Sequence, residues 1–175
     1  PRSTLALQIW LLSAPVDQPF KELQARVPKD LTSHLEVSFA LARRALSEGK
    51  HKDAERHARE AYEAAPDDPD TQSLLGQVLL YGQGSRMKGI LEHTSVGVNE
   101  DVTKEAQTLL SQAIDNYAVK GARLDAAHAR VNRGLANQFL GDLQSALHDY
   151  AIAFELTPTD PDIGRRYISL LGETG

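Results

Sequence analysis

The sequence predicts an all-α chain built from stacked helical hairpins, and three observations carry that expectation. Ala and Leu are plentiful while aromatics make up 6% of the 175 residues, which suits helices packed closely through small side chains. The stretches AAPDDPD at Ala64–Asp70 and LTPTDPD at Leu156–Asp162 punctuate the chain in the same way. Around those two stretches, alanines and glycines recur at matching offsets.

The punctuation has a direct physical reading. In each stretch a proline closes one helix, and Asp followed by Pro opens the next. Asp68 and Asp160 can accept hydrogen bonds from the free amides of a new helix, as N-caps do. Pro69 and Pro161 then stand at the first helical position, where a missing N–H costs nothing. Gly49 and Gly141 mark the turn inside each hairpin, and Ala42 or Gly134 is the small residue where paired helices approach. One unit carries Leu41, Ala42, Gly49, Ala54, Ala58, Ala61 and Pro66. Another carries Gly134, Asn137, Gly141, Ala146, Tyr150, Ala153 and Pro158 in the same frame. Ala42 and Gly76 stand one 34-residue period apart.

On these residues the chain resembles the tetratricopeptide repeat (TPR) family, over roughly residues 35–171. The resemblance implies a right-handed helical-repeat solenoid of about three TPR hairpins plus a C-terminal capping helix. The expected layout is a flanking segment at 1–34, repeats at 35–68 and 69–120, a linker and third repeat at 121–160, and a cap and tail at 161–175. The first repeat departs from the family pattern in having Ala42 and Ala58 at a glycine and a large aromatic position. In the middle repeat the second helix is expected over Val102–Tyr117, with Ala106, Leu110 and Ala113 packing and no closing proline.

Two segments break the period. Residues 82–100 form an insertion whose glycines Gly82, Gly84, Gly89 and Gly97 weaken any helix through it. Loops this long tend to be functional or disordered, so Met87, Ile90 and Leu91 are candidate partner contacts, or the insertion simply sits on the solvent side. Residues 121–126 either lengthen the preceding helix or widen the turn before the last repeat. The run LALQIWLL at Leu5–Leu12 is too short to span a bilayer. It faintly resembles a signal-peptide core, but reads better as a packed helix capped by Ser3 than as a strand. Because the chain begins with Pro1, a processed form or fragment is expected.

Composition excludes several functions. A net charge of −5 without a basic run disfavours nucleic acid and anionic membranes. There is no cysteine, hence no disulfide, thiolate metal site or Cys nucleophile. The six histidines lack ligand spacing, so no metal or other cofactor is expected. Gly82-Gln83-Gly84 has neither a preceding strand nor a Gly-Lys-Ser/Thr ending, so the phosphate-loop reading fails. No acid–base or nucleophile constellation stands out, and no enzyme is expected.

What the resemblance implies is a partner protein held on the first helices of the hairpins. The family's groove positions fall on Phe39, Arg43 and Ser47, then on Ser73, Gln77 and Tyr81. In the third repeat they fall on His128, Asn132, Gln138 and Phe139, with Arg165 on the terminal helix. Aromatic anchors among amide and guanidinium donors favour binding hot spots. The Lys and Asn clamp with which related co-chaperones grip a carboxylate tail is not reproduced, since Phe39, Arg43 and Leu74 hold those places. Alternatives are a scaffold that assembles with further copies of itself, or a regulatory or sensor domain of a larger enzyme. The compartment stays open, cytoplasm ahead of periplasm.

Overall fold

A computed structural model describes residues 3–15, 18–83 and 98–174. Among them are nine α-helices and no strand. They fall into two compact units, residues 1–82 and 83–175.

The first unit holds α1 (Thr4–Ser13), α2 (Phe20–Ala25), α3 (Leu35–Ser47), α4 (His51–Ala64) and α5 (Pro69–Tyr81). Ser3 caps α1 by accepting the Ala6 N–H, and Pro15 follows its last turn. Leu7 and Leu11 of α1 are buried, and the helix packs on α3. Helices α3 and α4 pair as a hairpin whose turn needs Gly49 at φ 69°, a left-handed conformation that a side chain would strain. The Lys50 N–H then reaches back to the Ala45 carbonyl at 2.8 Å, closing the helix end. Ala42 and Ala58 are both fully buried in this hairpin. Asp68 accepts the Asp70 N–H at 2.9 Å, and Pro69 opens α5 at the first helical position.

One ion pair ties the link between α1 and α2 to α3. Arg44, 9% exposed, donates to the carbonyls of Ala14 at 3.0 Å, Pro15 at 2.7 Å and Gln18 at 2.7 Å. Its Nε donates to Glu48, whose other oxygen accepts the Phe20 N–H and the Lys50 ammonium. Burial would raise the Glu48 carboxyl, but the bonds from Lys50, the Phe20 amide and Arg44 outweigh it and hold the group below its usual 4.5. Arg44→Ala leaves those carbonyls to find water, and is expected to cost about 2 kcal/mol. Trp10 on α1, the chain's one tryptophan, supplies the readout. Its emission should move to the red in Arg44→Ala under native conditions; an unmoved spectrum would mean that Leu7 and Leu11 hold α1 unaided.

The second unit holds α6 (Glu100–Lys120), α7 (Arg123–Phe139), α8 (Leu143–Leu156) and α9 (Pro161–Thr174). Gln83 and Asn99, either side of residues 84–97, are joined: the Gln83 side-chain oxygen accepts the Asn99 N–H at 2.8 Å. Asn99 in turn caps α6 through Val102 N–H at 3.2 Å. The second helix of the middle repeat is longer than expected, Glu100–Lys120 in place of Val102–Tyr117. Ala118 and Val119 are no breakers, so the helix runs on until Gly121 adopts the left-handed turn. Residues 123–126 then form the first turn of α7.

Helices α7 and α8 pair as a second hairpin, turned at Gly141 (φ 80°) and closed by the Asp142 N–H on the Asn137 carbonyl. At their approach Gly134 lies against the ring of Tyr150, so close that an added Cβ would stand 2.7 Å from Cε1. Tyr150 is fully buried and its hydroxyl donates to Gln138 at 2.6 Å. Asp160 accepts from Asp162 and Ile163 to open α9, whose Ile163 and Leu170 are buried within this unit. Both hairpins therefore have the TPR-like build: a short turn, a left-handed glycine, and a small residue of the first helix, Ala42 or Gly134, at the crossing. The domain boundaries at 69–120 straddle the two units, α5 lying in the first and α6 in the second.

Candidate partner-binding faces

In the first unit the candidate residues lie on α3 and α5, which touch. Phe39, Arg43 and Ser47 follow one another at four-residue spacing on α3, as Ser73, Gln77 and Tyr81 do on α5, so each trio shares a helix face. Phe39, Ser73, Gln77 and Tyr81 are half-buried and Arg43 and Ser47 are exposed. Among the described residues Arg43 has no carboxylate partner.

In the second unit the candidates are less uniform. His128 on α7 is exposed and Phe139 is half-buried, but Asn132 is 8% exposed. Gln138 already accepts the Tyr150 hydroxyl. Arg165 on α9 is exposed and pairs with Asp162 at 3.0 Å, a surface pair of small energetic weight. Met87, Ile90 and Leu91 lie outside the described residues.

A polar cleft of about 460 Å³ among the described residues is one that sequence reasoning missed. It lies among α6, α7 and α8 and is lined by polar groups including Gln107, Ser111, Arg133, Asn137, His148 and Asp149. Asp149 is 1% exposed and takes two parallel bonds from Arg133, Nε to Oδ2 at 2.8 Å and Nη2 to Oδ1 at 2.6 Å. Arg130 adds a third contact at 3.4 Å and Asn137 a fourth at 3.2 Å. The Asn137 oxygen accepts from Gln107 at 2.6 Å, and Arg133 Nη1 donates to Ser111 at 3.2 Å. The bonds to Asp149 hold the Arg133 guanidinium above its usual range, against a smaller opposing effect of burial. Ligand pockets are mostly apolar with a few convergent polar groups. Here the donors of Gln107, Arg133 and Asn137 are already spent on acceptors within the cleft, so the arrangement works as a lock that ties three helices together. The available signal was Asp149 itself, an acid on the stripe that otherwise carries Ala146, Tyr150 and Ala153.

Among the described residues no group of three or more His, Asp or Glu side chains could hold a metal ion, and no helix is long and apolar enough to cross a membrane. The fold is that of a helical-repeat protein with TPR-like hairpins. No family model matches the chain, and neither does any curated protein. A solved structure described as a thermophilic TPR protein in Thermus thermophilus aligns at 26% identity over 87% of each chain, with a TM-score of 0.40.

Proposed function

We propose that the chain is a non-catalytic protein-interaction module, holding a partner's extended segment or helix against the first helices of its hairpins. The observation that carries this reading is the half-burial of Phe39 on α3 and of Tyr81 on α5, each one helical turn from a polar candidate, Arg43 and Gln77. Half-exposed aromatics among donors have apolar area left to bury and polar groups to orient what buries it. Arg43 favours an acidic segment, while the net charge of −5 disfavours nucleic acid.

The test compares capture from the native host by the wild type and by the triple variant Phe39→Ala, Tyr81→Ala, Phe139→Ala. Affinity for whatever the wild type retains should fall about tenfold or more. The helical melt should move little, because none of the three is fully buried. Equal capture by both proteins would end the groove reading.

Self-assembly is the second reading, favoured by one observation. Leu5, Ile9 and Leu12 are 60%, 58% and 48% exposed along one side of α1, a helix without a charged residue. Light scattering across a dilution series separates a self-assembling chain from a monomeric binder, since only the former loses mass on dilution.

A further inference from the structure

His57 on α4 is 1% exposed, and its two ring nitrogens have opposite duties. Nδ1 stands 2.8 Å from Glu60 Oε2, and a carboxylate only accepts, so Nδ1 carries the proton. Nε2 stands 3.1 Å from Gln24 Nε2 and 3.0 Å from Arg56 Nη2. Arg56 reaches both ring nitrogens, its Nη1 lying 3.5 Å from Nδ1, and a guanidinium so placed opposes a second ring proton. With Nδ1 protonated, Nε2 is the lone pair that accepts from the Gln24 amide. The site is therefore built for a neutral imidazole.

Gln24 belongs to α2, and the same short helix sets the Phe20 ring 6.1 Å from the imidazole at 70°. The Lys50 ammonium lies over the other ring of that pair, 5.4 Å from the Phe20 centroid. The charged groups around the imidazole are Asp53, Arg56 and Glu60 from α4 itself. From α3 comes the Ser38 hydroxyl, which donates to Glu60 at 3.3 Å; from α2 come Gln24 and Phe20.

We infer that His57 is an acid-sensitive latch: neutral, it holds α2 on the α3–α4 hairpin, and protonated, it lets α2 go. A proton on Nε2 replaces the lone pair with a donor that faces the Arg56 guanidinium and ends the bond from Gln24. Glu60 and Asp53 favour the cation, but burial, the largest influence, and then Arg56 oppose it, and the imidazole is held below its usual 6.5. The contribution is thus complete above pH 6.5 and is lost as pH falls from there towards the lowered folded value. The element that yields is α2, because six residues cannot persist as a helix unless packed. Its release brings water to the imidazolium and uncovers Phe20 and Leu23, both now fully buried.

Hydrogen exchange of the full chain tests this, following a peptide over residues 20–25 and a reference peptide over 143–156. Corrected for intrinsic exchange, protection of the α2 peptide should fall on the order of tenfold between about pH 7.5 and pH 5 while the reference holds. The Glu48 carboxyl is held below its usual range by its bonds from Lys50, Phe20 and Arg44, which moves its own titration away from that window towards acid. In His57→Phe the fall should vanish, the ring packing on Phe20 without titrating. In Gln24→Glu a carboxylate meets the protonated ring, and α2 should stay docked in acid. Wild-type protection that is flat, or a fall that persists in Gln24→Glu, would overturn the latch even if His57→Phe fails to fold.

Discussion

Replacing Asp149 with alanine is expected to destabilise the second unit by about 3–5 kcal/mol. The carboxylate is 1% exposed and neutralises Arg133 through two short parallel bonds, with Arg130 and Asn137 converging on the same group. Removing it leaves a guanidinium among α6, α7 and α8 without its hydrogen-bonded partner, the Asp115 carboxylate acting on it only as a weaker influence. That outcome is distinct from removing both partners. Asp149→Leu combined with Arg133→Met should regain most of the loss, because a buried ion pair replaced by apolar side chains of similar volume is often close to neutral. Urea unfolding followed by circular dichroism reads both, with each unit fitted as its own transition. A loss under about 1 kcal/mol in Asp149→Ala would show that water already reaches the network and that it locks nothing.

The same network shows where sequence reading stops. Punctuation was legible because it is local chemistry: Asp68 and Asp160 cap the helices that follow, and Gly49 and Gly141 take the left-handed turns that close α3 and α7. The end of α6 was less so, since the breaker was Gly121 and Tyr117 was only the last residue of the packing stripe. Arg133 and Asp149 are far apart in sequence and read singly as ordinary charges; nothing before the hairpin closes says that they share one site. His57 carried no signal of its own for the same reason, its partner Gln24 lying on a helix too short to leave a periodic trace. The candidate faces were legible only through the family frame. That frame places Phe39, Arg43, Ser73, Gln77 and Tyr81 on faces of α3 and α5 but is blind to the Tyr150 hydroxyl that occupies Gln138.

Gly134→Ala puts the repeat geometry itself to a test, because two opposing effects decide its sign. Alanine in a helix interior gains about 1 kcal/mol over glycine. Against that, its Cβ would stand 2.7, 3.0 and 3.1 Å from Tyr150 Cε1, Cδ1 and Cζ. The ring has little room to yield, being fully buried and tethered at its far end to Gln138. Overpacking of this kind costs about 1–3 kcal/mol, so the net result should be destabilisation. The first hairpin indicates the remedy: the corresponding positions hold Ala42 and Ala58, both fully buried, a small pair in place of glycine with tyrosine. In a Tyr150→Ala background the clash is gone, and Gly134→Ala should change sign and stabilise by up to about 1 kcal/mol. Urea midpoints of the four proteins close the cycle. If Gly134→Ala costs as much without the ring as with it, the approach of α7 to α8 is not what requires the glycine.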